Sequence, residues 1–141
     1  MTAKITALIC YPQKGETGIT LREMKLIGGR GIEGDFHCGK ERQVSLLLAG
    51  ARRWMEAQSE KGLCFGRFRE NIRIEGLPAE ALSDGSTILI GDTALKLLPG
   101  GKHCFPQCRF FAEDAPCPLL GAAAFAVVSQ GGIVRLGDAV S

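Results

Sequence analysis

The chain has 141 residues, the length of one ordinary domain with a single sizeable core, so residues 1–141 are expected to fold as one domain. With 45% apolar and 23% charged residues it is neither disordered nor of low complexity, and a net charge of +2 lacks the basic footprint of a dedicated nucleic-acid binder. The longest nearly unbroken apolar stretch, residues 119–128, is far short of the roughly 20 residues that cross a bilayer.

The pattern along the chain predicts many short elements, in keeping with nineteen glycines, close to twice the usual ~7%. Residues 2–11 are apolar and β-branched and are broken by Pro12, Gly15 and Gly18, which predicts a strand followed by a loop. Residues 25–34 carry four glycines, the signature of a bent or bulged backbone. A buried strand is expected at 43–48. A helix is expected over 49–61, where Ala51, Trp54, Met55 and Gln58 share a helical face and Gly62 is the stop. Strands follow at 71–75, 86–90 and 94–98, the last two joined through Gly91-Asp92 as a hairpin. A second hairpin is expected from 124–129 and 133–136 around Gly131-Gly132. Short strands with one or two helices indicate a mainly β fold, a closed or half-closed barrel.

The chemistry concentrates in three places. Residues 100–118 read as a loop holding His103 and the cysteines Cys104, Cys108 and Cys117 at C-x3-C-x8-C spacing. No secretory signal opens the sequence, so the six cysteines are expected to be reduced thiols in the cytoplasm. Lys102, His103 and Arg109 stand beside Cys104 and Cys108 in sequence, and neighbouring cations favour a reactive thiolate. The competing reading makes the same cysteines ligands of zinc, although His103 next to Cys104 is a poor chelating pair. Cys10 and Cys64 sit in or beside apolar runs and read as core fillers.

The second place is 31–37, where an extended backbone would put Glu33, Asp35 and His37 on one side and let Asp35 orient the imidazole. The third is Glu70-Asn71, which leads into a strand and suits either a turn or a ligand contact. The arginines are scattered, so most are expected on the solvated surface with a few left for a phosphate. The glycine-rich stretches match neither the dinucleotide nor the Walker pattern, and no G-x-S-x-G elbow occurs.

Five segments in order resemble the MOSC domain, the module at the C-terminus of molybdenum cofactor sulfurases that also occurs as small stand-alone bacterial proteins. They are GIEGDFH at 31–37, RQVSLL at 42–47, GRFRENIRIEGL at 66–77, LSDGSTILIGDTALKL at 82–97 and GGIVRLGDAV at 131–140. The resemblance implies a β-barrel fold, binding of the molybdenum cofactor in its molybdopterin form, and a cysteine that carries sulfur or ligates molybdenum. It places that cysteine at Cys104, with Cys108 as the competing position and Cys117 as a third loop thiol, all three being candidate metal ligands. It matches Asp35, His37 and Asn71 to family positions and makes Lys102, Arg109 and Arg42 candidates for the cofactor's phosphate. Val127 and residues 122–124 stand where relatives often carry Gly and Arg, a departure on this strand. A sulfurtransferase role implies an external cysteine desulfurase as sulfur donor. The alternatives are a zinc or iron–sulfur module without turnover and a molybdenum-dependent reductase of N-hydroxylated compounds.

Overall fold

The structure, a computed structural model, describes residues 3–15, 17–57, 69–99 and 122–141. The fold is mainly β. The strand β1 (Ala3–Cys10) buries Ala3, Ile5, Leu8 and Cys10. An irregularity between Ile5 and Ala7 inserts a residue into the period-two alternation, so both halves of the strand turn their apolar side chains inward. Strand β1 pairs antiparallel with β2 (Ile19–Leu21), β6 (Ile72–Glu75) and β11 (Ala139–Val140).

From β6 the sheet runs through β5 (Val44–Leu48), β9 (Ala123–Gln130), β8 (Thr93–Leu97) and β7 (Thr87–Ile90) to β11, which returns to β1. This ring of pairings leaves most strands without an open edge. Its interior holds one core that includes Ile5, Leu8, Leu46, Ile72, Ile88 and Leu95. Central β5 is apolar on both faces because Val44 and Leu46 point into that core. Leu47 packs on the outside against Ala51 and Met55 of the helix α1 (Ala49–Ala57). Strands β5 and β6 are parallel, and parallel neighbours need a crossover connection, which α1 begins.

A smaller sheet lies beside the ring, ordered β10 (Gly132–Arg135), β3 (Glu23–Ile27) and β4 (Gly31–Ile32). Gln43 joins the two sheets. Its amide donates to Gly29 O at 3.2 Å and its carbonyl accepts the Val128 N–H at 2.9 Å.

The hairpin expected from 86–90 and 94–98 is present as β7 and β8, with Ile90 opposite Thr93. The hairpin expected around Gly131-Gly132 is not. Strand β9 is occupied on both edges by β5 and β8, and β10 crosses to pair with β3. Gly131 is the corner, since a Cβ there would stand 2.5 Å from Leu26 O and 2.8 Å from Gly28 N. Paired glycines satisfy a tight turn and a close backbone crossing equally well, and only the neighbouring strands distinguish the two. The helix expected over 49–61 runs over Ala49–Ala57, and its last expected turn lies outside the described residues. Among the described residues no helix is long and apolar enough to cross a membrane.

Candidate functional site

A cleft of about 460 Å³ opens where β1 ends and parallel β5 and β6 begin. One wall is a buried hydrogen-bond network. Asn71 reaches from the start of β6 with every hydrogen-bonding position of its side chain engaged. Its Oδ1 accepts the Ser45 N–H at 3.0 Å, with the Ser45 hydroxyl also at 3.0 Å, and its Nδ2 donates to Ile9 O and to Asp35 Oδ1, each at 3.0 Å. Asp35 in turn accepts the Tyr11 N–H at 2.9 Å and the His37 N–H at 3.0 Å. The wall therefore ties β1, β5, β6 and the loop after β4 into one unit.

That loop differs from the sequence expectation. Residues 33–37 turn rather than extend, so Glu33, Asp35 and His37 do not share a face. Glu33 is exposed and stands 3.8 Å from Lys25, whereas Asp35 is buried. Turn geometry brings successive N–H groups inward, and a short carboxylate caps them as an Asx turn does. His37 is half exposed on the cleft, with Nδ1 3.5 Å from Asp35 Oδ2. Of the residues expected to touch a cofactor, Asp35, His37 and Asn71 thus come together. The first and last are spent on internal partners and position the wall, while the His37 ring is presented to the cleft.

A second buried charge supports the same wall from behind. Glu70 is only 2% exposed and receives two hydrogen bonds from Arg52 of α1, at 2.8 and 3.1 Å, and one from Arg73 of β6 at 3.1 Å. Its backbone carbonyl accepts the Tyr11 hydroxyl at 3.2 Å. Burial, with the Glu70 charge adding to it, pushes the Tyr11 phenol up to about 12, so the side chain is a neutral donor at any ordinary pH. Cys10, the last residue of β1, is buried near Asp35. Desolvation first and Asp35 second raise its thiol, in keeping with the core-filling role read from its apolar neighbours.

The exposed part of the cleft lining is cationic. Lys14, Arg42 and Arg69 line it, all exposed, and no carboxylate side chain lines it among the described residues. They stand among aromatic faces: Arg42 lies 4.4 Å over the Phe125 ring, and Arg69 5.9 Å from that of Tyr11. Arg42 was legible as a phosphate candidate. Lys14, Arg69, Tyr11 and Phe125 were not singled out, because the segments carrying them are far apart in sequence. Strand β9 supplies Phe125 to the cleft lining. Lys102, His103, Cys104, Cys108, Arg109 and Cys117 lie outside the described residues.

The fold is mainly β, closed through a ring of strand pairings, and its cleft gathers exposed cations and aromatic side chains. The family model of the MOSC domain matches residues 33–141, and the chain belongs to that family, which is associated with molybdenum cofactor binding. Among solved structures it is similar to the YuaD protein from Bacillus subtilis, at 19% identity and a TM-score of 0.68 over 99% of this chain and 94% of that one. It is also similar to YiiM from Geobacillus stearothermophilus, at 15% identity and a TM-score of 0.63 over 98% of this chain and 73% of that one. YiiM from Escherichia coli aligns at 16% identity and a TM-score of 0.53 over 98% of this chain and 68% of that one. At these identities the likeness is one of fold. No curated protein sequence matches the chain.

The described donor set fits part of a molybdenum cofactor. Lys14, Arg42 and Arg69 suit its phosphate by charge-assisted hydrogen bonding, and Phe125 and Phe36 offer faces to its planar ring. Among the described residues no cluster of three His, Cys, Asp or Glu side chains suits a metal ion.

Proposed function

We propose that this protein binds the molybdenum cofactor, in its molybdopterin form, in the cleft at the ends of β1, β5 and β6, and acts as a sulfur carrier through Cys104, with Cys108 as the competing thiol. The observation that carries the binding reading is the convergence of Lys14, Arg42 and Arg69 with aromatic rings on a cleft whose wall is built by residues 35–37 and 70–71. Those are segments on which the family resemblance rests. Lys102 and Arg109 are further candidates for the phosphate.

When bound, the cofactor supplies a high-valent metal that accepts a soft thiolate ligand. The chain's own chemistry is sulfur transfer. The Cys104 thiolate attacks the outer sulfur of a donor persulfide; the donor's S–S bond breaks, a new S–S bond forms on Cys104, and the donor sulfur leaves as a thiolate. No net oxidation occurs, and a cysteine desulfurase is the donor class this step calls for. The cytoplasm, where thiols stay reduced, is the compartment that suits it.

The test mixes purified protein with molybdenum cofactor and follows absorbance and metal content for the wild type, Cys104→Ala and Cys108→Ala. Loss of bound molybdenum in one variant alone identifies the ligating thiol. A wild type that retains no molybdenum overturns the reading, and near-stoichiometric zinc or iron in protein purified without added metal favours a metal module instead.

A further inference from the structure

Gly18 is the first residue of the return limb of the β1–β2 hairpin, one step beyond the pair Cys10 and Ile19. Its backbone φ needs no glycine, yet its surroundings do. A Cβ at this position would overlap Ile9 Cγ2 and stand 2.5 Å from Tyr11 Cε1 and 2.9 Å from Tyr11 Cδ1. The Tyr11 ring therefore lies on bare backbone, the close packing of an aromatic across a strand pair that glycine permits. The ring has little freedom elsewhere, because the Tyr11 backbone is held at both polar groups. Its N–H donates to Asp35 at 2.9 Å and its carbonyl accepts the Phe36 N–H at 2.7 Å. A side chain at position 18 must rotate the ring about its own torsions, off the 3.2 Å hydrogen bond to Glu70 O and across the cleft that the ring lines.

We propose that Gly18 is a positioning residue for the cleft: by giving the Tyr11 ring a place against the β2 backbone, it keeps the hydroxyl on Glu70 O and the ligand space open. The effect on ligand affinity rests on the binding reading above, whereas the effect on Tyr11 does not. Tyr11 is the chain's one tyrosine, so its phenolate absorbance reports on this ring alone.

The experiment titrates that absorbance with alkali in the wild type, Gly18→Ala and Leu21→Ala. The last variant weakens β2 through a partly buried core contact without touching the Tyr11 ring. Retention of molybdenum cofactor released from a donor enzyme is measured on the same samples. In Gly18→Ala the midpoint falls from about 12 toward the ordinary ~10, by one pH unit or more, and retention drops about tenfold. In Leu21→Ala neither moves. Should Gly18→Ala fail to fold, the double variant Ile9→Ala with Gly18→Ala relieves the aliphatic overlap, keeps the aromatic one and carries the same readout. An unmoved midpoint in the folded variant, or an equal loss in Leu21→Ala, overturns the proposal. If the wild type retains no cofactor while the midpoint still falls in Gly18→Ala, the positioning of Tyr11 stands and the binding reading fails.

Discussion

The two sides of the cleft are built on opposite principles. The wall of Asp35, Ser45, Glu70 and Asn71 is buried, and each of these polar side chains is satisfied within the protein. The rim of Lys14, Arg42 and Arg69 is exposed, and its guanidinium groups rest near aromatic rings. Buried polar groups are costly unless paired, so the wall can hold only one geometry, and a change there is a change in stability. Exposed cations contribute little to folding, so a change there is not chiefly a change in stability. Residue types alone suggest ligand contacts on both sides. Burial and hydrogen bonding separate the side chains that shape the cleft from those exposed within it.

The sharpest way to break this contrast is Asn71→Ala, which strands the Ser45 N–H and Ile9 O and takes one of the two donors from Asp35 Oδ1. We expect a loss of about 3 kcal/mol, read by chemical denaturation, and a variant of wild-type stability would dissolve the wall as a unit. Next comes Glu70→Gln, which leaves Arg52 and Arg73 without their countercharge. Because both arginines reach some solvent, about 2 kcal/mol is expected.

On the rim, Arg42→Ala should move stability by no more than about 0.5 kcal/mol while lowering cofactor retention about tenfold. A fall in melting temperature comparable to that of Asn71→Ala would erase the distinction. A pH-dependent effect concerns the residue where the two sides meet. The folded state disfavours ionisation of Tyr11, so between pH 10 and about 12 the unfolded chain releases this proton first and is stabilised by doing so. Stability should therefore decline across that window in the wild type and decline less in Tyr11→Phe, which denaturant midpoints at stepped pH will show.

Much of the fold was legible. The alternation in β1, the apolar run of β5 and the Gly91-Asp92 turn each identify a local element, because each is set by neighbours within a few residues. The corner at Gly131 was misread because a kink between sheets and a hairpin turn use the same residues. The segment 31–37 was recognised as part of a site, but Asp35 was expected on an open face. Only the nearby N–H groups of Tyr11 and His37 and the Asn71 amide draw its carboxylate inward. Lys14 and Arg69 were unremarkable in sequence for a related reason. Fifty-five positions separate them, and their convergence depends on β1 lying beside β6.

The sequence by itself determined the mainly β character of the chain, its family and the segments from which the cleft is made, since these follow from composition, periodicity and short ordered motifs. Tertiary structure alone decided which side chains are spent within the protein and which are exposed in the cleft. That division depends on desolvation and on partners brought together from distant strands, and neither is a property of any local stretch of chain.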